Sequence, residues 1–179
     1  MSEGEAIAAL VARARGGEAD AARQLFARMG HAVHGVLLGY LQPADADDLT
    51  QDVFETALRQ LDDLREPAAF PGWLLSIARR AALQRLRRAP TVQVDTSLLV
   101  DHAASQETRL EAQHALAAIR GLPEAYRETL MLRLVEGMTG PEISARTGLT
   151  PGTVRVNLHR GMGLLRKALG IGDVQEVGT

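Results

Sequence analysis

The stretch from Thr139 to Arg160 constrains the fold most strongly, because it contains two helix starts and one helix stop in close succession. Thr139 and Glu142 have the T-x-x-E spacing of a capping box, and a proline lies in the first turn, where its missing N–H is not needed. Gly148 suits the left-handed residue that ends such a helix, and Thr150 can cap a second helix. The pattern predicts two short helices that meet at a tight turn.

Apolar side chains divide the two predicted helices into inner and outer faces. Ile143 and Ala145 supply apolar packing to the first helix. Val154 and Leu158 lie four residues apart and are expected to face it, with Leu165 continuing the stripe. The outer face of the second helix carries Arg155, Val156, His159 and Arg160. Such a face suits the major groove of DNA, and the alternative is an ordinary αα-hairpin with a solvated basic face.

Composition favours helices throughout the chain. Aromatic residues make up only 3% of the 179 residues, and Ala, Leu and Arg dominate, which predicts an all-α fold of one large or two small domains. The absence of cysteine excludes disulfides, thiol catalysis and cysteine-ligated metal sites. There is no apolar run of about 18 residues and no signal sequence, so we expect a cytoplasmic protein without membrane insertion.

The net charge of −2 conceals a segregation of charge along the chain. Residues 1–66 carry 6 arginines against 12 acids, whereas residues 67–90 carry 5 arginines and no acid. Residues 121–169 carry 7 cations against 4 acids. All but one of the 20 cations are arginines, which bind phosphates and guanine edges better than lysine does. Two separate basic blocks therefore predict contacts with a polyanion.

The first half of the chain is predicted to form several helices before its basic block. We expect a helix break at Gly30 and a loop that opens at Pro43. The predicted helices cover residues 5–15, 18–29, 31–41 and 49–58. His31 and His34 have a spacing that can ligate a metal, but no carboxylate cluster accompanies them. We interpret both as surface or boundary residues and expect no metal site.

The helix predicted over residues 49–58 has two different faces. Its buried stripe consists of Leu49, Val53, Ala57 and Leu61. The opposite face, here called the acidic strip, consists of Asp48, Gln51, Asp52 and Glu55. Taken alone, this pattern indicates a solvated helix face whose early carboxylates favour the helix N-terminus.

A basic helix is predicted over residues 70–88, with Trp73 and Ile77 facing inward. Its outer positions are Arg79, Arg80, Gln84, Arg87 and Arg88. Phe70 and Trp73 lie at the start of this helix, and aromatic rings beside cations are what unpaired bases stack against. The alternative is that both rings anchor the core.

The remainder of the chain contains a predicted linker, two helices and a tail. Residues 89–105 lack a clear hydrophobic period and contain Pro, Thr, Ser and Asp, which predicts an interdomain linker. Two further helices are predicted over residues 106–120 and 123–135. The core stripe of the second consists of Tyr126, Leu130 and Leu134. Residues 170–179 are polar and are expected to be frayed.

Three blocks, in this order, resemble a bacterial sigma factor of the sigma-70 family, of the small extracytoplasmic-function (ECF) type. They are DADDLTQDVFETAL at 45–58, FPGWLLSIARRAALQRLRR at 70–88 and LPEAYRETLMLRLVEGMTGPEISARTGLTPGTVRVNLHR at 122–160. The resemblance covers nearly everything from residue 18 to 169. It implies a region 2-like helical domain at 1–88, a flexible linker at 89–105, a region 4-like helix-turn-helix domain at 106–169 and a frayed tail at 170–179.

The same resemblance implies a role for each block. In such proteins the helix matching the acidic strip docks on the clamp helices of the largest polymerase subunit. The segment matching 62–88 binds and melts the −10 element, which implies contacts from Phe70, Trp73, Arg79, Arg80, Gln84, Arg87 and Arg88. The helix-turn-helix reads the −35 element, which implies contacts from Thr153, Arg155, Val156, His159 and Arg160.

The partners implied by the resemblance are core RNA polymerase, promoter DNA and an anti-sigma factor, with no cofactor and no small-molecule substrate. Two departures from the family pattern stand out. Arg80 and Gln84 occupy positions where the family commonly has Asn and Asp, which implies altered −10 recognition. Gly161 and Gly163 interrupt the family's R-A-R run, and each is expected to weaken the helix by roughly 1 kcal/mol relative to Ala.

Two other classes of function remain to be compared with this one. A sigma-like helix-turn-helix regulator that does not initiate transcription has no use for the acidic strip, so binding to core polymerase discriminates it. An enzyme is disfavoured, because the chain has no G-x-x-x-x-G-K or H-E-x-x-H motif and no nucleophile with a paired base. We therefore expect no catalytic residues.

Overall fold

The structure is a computed structural model that describes residues 3–88 and 106–171. The helices within these ranges are α1 (Glu3–Arg15), α2 (Ala19–Leu38), α3 (Pro43–Arg59), α4 (Phe70–Arg88), α5 (Gln106–Arg120), α6 (Glu124–Leu134), α7 (Gly140–Thr147) and α8 (Pro151–Ala168). The described ranges contain no strand, which confirms the all-α prediction. None of the described helices is long and apolar enough to cross a membrane. The predicted linker and residues 172–179 of the predicted tail lie outside the described residues.

Helix α2 is the centre of the N-terminal half, and α1, α3 and α4 pack around it. Its fully buried side chains include Leu25, Met29, Val33, Val36 and Leu37. Burying a side chain of this kind contributes about 1.5–3 kcal/mol. Arg15 donates from Nε to the carbonyl of Leu61 at 3.1 Å, which fixes the end of α1 to the short turn after α3.

Two predicted boundaries in this half are wrong. The sequence predicts a break at Gly30, but α2 continues through it. A glycine only weakens a helix, and here the apolar face continues on both sides while the Phe26 ring lies against the glycine. The sequence also predicts a loop from Pro43, but α3 begins there. Proline is favoured in the first turn of a helix, because the N–H it lacks has no partner there.

Helix α6 is the centre of the C-terminal half and packs against α8. Of its predicted stripe, Leu130 is fully buried, but Leu134 is 46% exposed. Met131 and Leu132, which follow Leu130 directly, are also fully buried. A helix buries successive residues only when more than one side is covered. Here α8 covers one side of α6 and α2 covers another.

The two halves pack against each other and share one continuous hydrophobic core. We call the contact of α2 and α4 with α6 and α7 the interdomain seam. Arg120 crosses it by donating from Nε to the carbonyl of Leu38 at 3.1 Å. The guanidinium of Arg127 lies 5.2 Å from the ring centre of Tyr40, which is a cation–π distance.

Candidate nucleic-acid and partner interfaces

The capping box predicted at the start of α7 is present in full. The amide of Thr139 donates to the Glu142 carboxylate at 2.7 Å, and the amide of Glu142 donates to Thr139 Oγ1 at 3.4 Å. The hydrogen bonds from Thr139 lower the pKa of the Glu142 carboxyl. Gly148 ends the helix with a φ of 75°, in the left-handed region. The local signals of the sequence therefore define α7 correctly.

The turn between α7 and α8 is fixed by side chains of its own. Ser144 Oγ donates to the carbonyl of Leu149 at 2.5 Å, and the Leu149 amide donates to Thr147 Oγ1 at 3.2 Å. Thr150 caps α8 as predicted, because its hydroxyl accepts from the Thr153 amide at 3.2 Å. These bonds hold α8 at a defined angle to α7.

We expect Thr150→Ala to lower the free energy of unfolding by about 1 kcal/mol, because the first turn of α8 loses its cap. In a chain of this size, that change lowers the melting temperature by about 2–4 °C. Thr150→Asn keeps a capping side chain and is the matched control. Thermal unfolding followed by circular dichroism measures both variants. Equal midpoints for Thr150→Ala and the unsubstituted protein would contradict the capping role.

The predicted inner and outer faces of α8 are confirmed. Val154 and Leu165 are 1% and 5% exposed, and Leu158 packs against the core. The side chains of Thr153, Arg155, Val156, His159 and Arg160 are all exposed. We call this set the outer face of α8. Ala145 of α7 is exposed, so its predicted packing role is wrong, and Ile143 alone anchors that helix in the core.

The two glycines of α8 have different surroundings, although the sequence expectation treats them alike. Gly161 is buried against α6, where a Cβ would lie 3.0 Å from Leu130 Cδ1 and 3.1 Å from Tyr126 Cβ. Gly163 faces open space. Gly161 therefore allows α8 to approach α6 closely, whereas Gly163 has no contact that requires a glycine.

The acidic strip occupies one exposed face of α3. Within it, the Gln51 amide donates to the Glu55 carboxylate at 3.2 Å. The buried residues of α3 are Pro43, Ala46, Thr50, Val53, Phe54 and Ala57. Because the strip contributes nothing to the core, its side chains are available to a partner.

The aromatic residues at the start of α4 lie deeper than a stacking surface requires. Phe70 is 0% exposed, so its predicted contact with the −10 element is corrected: its ring is a core anchor. An aromatic ring contributes more when its whole surface is buried than when one face is left in water. Trp73 is partly buried, with its ring centre 6.0 Å from that of Phe70.

An open groove of about 450 Å³ lies between α3 and α4. Its lining includes Asp52 and Thr56 from α3, Gln60 directly after that helix, and Arg80, Gln84 and Arg88 from α4. The guanidinium of Arg85 contacts the Asp45 carboxylate at 2.5 Å and ties the two helices together. Arg87 is exposed as well. The structure thus brings three of the predicted −10 residues and one residue of the acidic strip into the same groove.

Arg79 is not among the residues that line this groove, and it crosses the interdomain seam. Its Nε donates to Glu128 Oε2 at 3.1 Å, and its Nη2 donates to the same oxygen. The Glu128 side chain is only 9% exposed. Burial raises the pKa of Glu128, although the charge of Arg79 opposes the increase. Glu128 could not be recognised from the sequence, because its partner lies 49 positions away.

Comparison with known protein families assigns both halves of the chain. The model described as Sigma-70 region 2 matches residues 25–90, and the model described as Sigma-70, region 4 matches residues 113–165. The RNA polymerase sigma factor CarQ of Myxococcus xanthus is 34% identical over 164 positions, covering 88% of this chain and 94% of CarQ. The chain belongs to the sigma-70 family. Residues 25–90 match region 2 and residues 113–165 match region 4.

Further relatives place this sigma factor in the ECF group. The ECF RNA polymerase sigma-E factor of Escherichia coli K12 is 31% identical over 179 positions, covering 89% of this chain and 92% of the relative. CnrH, solved in complex with the cytosolic domain of CnrY, is 28% identical with a TM-score of 0.64, covering 94% of this chain and 99% of CnrH. The sigma factor RpoE of Bartonella quintana was solved with the anti-sigma factor NepR. It is 20% identical with a TM-score of 0.58, and the match covers 84% of this chain and 98% of RpoE, which shows the shared fold.

Proposed function

We propose that this sigma factor directs core RNA polymerase to promoters through three surfaces. The acidic strip binds the polymerase, the groove between α3 and α4 binds the −10 element, and the outer face of α8 reads the −35 element. The observation that supports this most directly is that all three surfaces are exposed, although they lie on helices that share one core. The polymerase supplies the nucleotidyl transfer, and this chain performs no catalytic step.

The acidic strip suits a basic partner surface. Asp48 and Asp52 lie one helical turn apart, and both are exposed on the same face of α3. Opposite charges across an interface accelerate association and fix its register, while like charges facing each other cost several kcal/mol. A basic surface on the polymerase clamp is therefore the expected partner.

The groove between α3 and α4 suits a single DNA strand. Opening DNA sacrifices base stacking of about 1.4 kcal/mol per base-pair step, so the protein must provide compensating contacts. Arg80 and Arg88 attract the phosphates, and the volume of the groove can accept an unstacked base. Arg80 and Gln84 replace the family's Asn and Asp, and we propose that this strengthens backbone contacts at the expense of base reading.

The outer face of α8 suits the major groove, because it is exposed and is held by the capped turn that precedes it. Arg155→Ala should weaken binding to a −35 duplex by about 1–3 kcal/mol, with the loss confined to one base position. Arg166→Ala, at the other end of α8, is the matched control and should leave the pattern of base preference unchanged. Binding titrations against single-base variants of the duplex measure both effects. An equal loss on every duplex would make Arg155 a phosphate contact.

The domain boundaries and partners form part of the same proposal. Region 2 comprises residues 1–88, region 4 comprises 106–169, and residues 89–105 connect them. RpoE was solved with the anti-sigma factor NepR and CnrH with the cytosolic domain of CnrY, which supports an anti-sigma factor as a partner of this chain. A protein that works with RNA polymerase and promoter DNA acts in the cytoplasm.

Promoter opening by the reconstituted polymerase tests this proposal. Permanganate modifies unpaired thymines, so a promoter opened by core polymerase and this protein should show reactive thymines around −10. Core polymerase alone should show none. Binding of core polymerase without reactive thymines at any promoter would contradict the −10 role. The absence of core binding would leave a DNA-binding regulator that uses region 4.

A further inference from the structure

Glycines of region 2 allow a close approach of region 4 across the interdomain seam. A Cβ at Gly39 would lie 3.1 Å from Met131 Cγ, and a Cβ at Gly72 would lie 3.0 Å from the backbone oxygen of Thr147. Gly35 faces region 4 at a similarly short distance. Only Gly72 meets backbone of region 4, whereas Gly35 and Gly39 meet the side chains of Glu136 and Met131, which are able to shift. The approach of the two backbones at Gly72 therefore depends on a glycine.

Charged side chains also cross the seam in both directions. Arg146 of region 4 donates to the carbonyl of Arg28 at 3.1 Å and to the carboxylate of Glu3 at 2.5 Å. Arg79 of region 2 donates twice to Glu128 of region 4. The second contact involves a cation that the family resemblance places among the −10 contacts.

Polar atoms lie buried along the seam. Three buried polar atoms on residues beside it have no hydrogen-bond partner among the described residues: Tyr40 Oη, Arg120 Nη2 and Glu128 Oε1. Buried polar groups in stable interiors are nearly always paired. Each of these groups can be hydrated when the seam opens, which lowers the cost of separation.

The proposed function requires the two regions to separate. Elements centred near −10 and −35 are about 25 base pairs apart, which is roughly 85 Å at 3.4 Å per base pair. A single globule of this length has a radius of gyration of about 16 Å. Regions 2 and 4 therefore cannot reach both elements while the seam is closed. The packed structure is a state that precedes promoter binding.

We propose that Arg79 has two alternative anionic partners, the Glu128 carboxylate in the closed chain and a DNA backbone phosphate in the open one. This inference rests on the proposed function, because the phosphate belongs to the −10 strand that the groove beside Arg80, the next residue along α4, is proposed to bind. The pair with Glu128 holds the seam closed, and loss of that pair releases Arg79 for DNA. Region 4 thereby inhibits region 2 until the seam opens.

The chemistry of the two partners supports an exchange. Carboxylate and phosphate oxygens both accept paired hydrogen bonds from a guanidinium. Burial raises the pKa of Glu128, so its charge is disfavoured in the closed chain and regains water on opening. Single buried ion pairs stabilise weakly, yet removal of one partner leaves an uncompensated charge and is strongly destabilising. Such a pair can close the seam and still release it to a competing polyanion.

The absence of cysteine allows the seam to be measured with two dyes in the full chain. Ala9→Cys on α1 and Ala168→Cys on α8 are exposed labelling positions in different regions. Glu128→Gln should raise the open-to-closed ratio, measured by energy transfer, at least tenfold. Arg79→Met combined with Glu128→Leu should return the ratio to that of the unsubstituted chain, because no buried charge remains. Glu18→Gln removes an exposed ion pair with Arg13 and should have no effect.

Binding of short single-stranded DNA of mixed sequence tests the exchange. Glu128→Gln should bind it several-fold more tightly than the unsubstituted chain, because Arg79 is free. The Arg79→Met and Glu128→Leu double variant should bind it more weakly than the unsubstituted chain. Equal affinities for these two variants would overturn the assignment of Arg79 to phosphate. An unchanged dye distance in Glu128→Gln would overturn the closing role of the pair. The same conclusion would follow if the Arg79→Met and Glu128→Leu double variant had the same open-to-closed ratio as Glu128→Gln.

A steric variant opens the seam without changing charge. Gly72→Ala places a Cβ against the Thr147 carbonyl and should lower energy transfer, whereas Gly30→Ala, inside region 2, should leave it unchanged. Far-UV circular dichroism confirms that each variant remains helical. Equal energy transfer for these two variants would overturn the closed arrangement itself. The dye measurements need neither polymerase nor promoter. An unchanged dye distance would therefore reject only the closing role of the seam, whereas a failure of promoter opening would reject the proposed function.

Discussion

Simultaneous replacement of Asp48 and Asp52 by arginine is expected to abolish binding to core RNA polymerase. Both side chains are exposed, and neither contributes to the core of region 2. The double reversal places two cations against the basic surface proposed for the clamp, and like charges in such a contact cost several kcal/mol. The expected loss of affinity is at least a hundredfold, about 2.8 kcal/mol. Titration of labelled protein with core polymerase measures it.

The control for this prediction reverses two other acids of region 2. Asp62 and Asp63 are exposed in the short turn after α3 and lie outside the acidic strip. Asp62→Arg combined with Asp63→Arg makes the same change in net charge and should leave binding to core polymerase within a few-fold of normal. An unchanged affinity for core polymerase in the Asp48 and Asp52 variant would reject the acidic strip as the docking surface. Equal losses of affinity in both double variants would show that net charge causes the effect.

Replacement of Gly161 by valine is expected to have the second large effect. The added side chain meets Leu130 and Tyr126 at the contact of α8 with α6, where a Cβ alone lies at 3.0–3.1 Å. Overpacking of this kind costs about 3 kcal/mol, which lowers the melting temperature by about 6–12 °C. The displaced α8 should also lose binding to the −35 duplex.

Gly163→Val is the matched control, because it makes the same substitution two residues later in the same helix. That position faces open space, and valine has a higher helix propensity than glycine. We expect its stability to be unchanged or to rise by a few tenths of a kcal/mol, with −35 binding retained. Thermal unfolding and duplex titration separate the two variants. Equal destabilisation by both would show that helix packing at Gly161 is not the cause.

The helix-turn-helix could be predicted from the sequence in detail, because its determinants are local. The Thr139 and Glu142 capping box, the left-handed Gly148 and the Thr150 cap each depend on residues within one or two helical turns. The exposed outer face of α8 follows from the same local register. Hydrophobic periodicity likewise predicts α4 and α5 with the bounds that the structure has.

Burial that depends on the packing of the two halves could not be predicted from the sequence. The stripe predicted for α6 includes Leu134, yet the helix buries Leu130 and its two successors, because α2 and α8 cover it from two sides. Hydrophobic periodicity predicts one buried face of a helix and does not predict a second buried face on the same helix. The partner of Glu128 is equally hidden, since no local pattern links it to Arg79.

The structure shows that the acidic strip, the outer face of α8 and the α4 side chains of Arg80, Arg87 and Arg88 are exposed. The partners of these surfaces follow from family resemblance and not from exposure. Phe70 illustrates the difference, because the residue matches a block of the family and its ring is nevertheless fully buried. Composition near a basic helix does not tell whether an aromatic ring faces the core or the solvent.

Run-off transcription with purified core polymerase and a pool of promoter fragments from the source genome tests the central claim most directly. We expect specific transcripts that require this protein and disappear with the Asp48 and Asp52 double reversal. The transcripts would also define the −10 and −35 elements. An absence of any protein-dependent transcript from the complete fragment pool, with core polymerase shown to be active with another sigma factor, would contradict it.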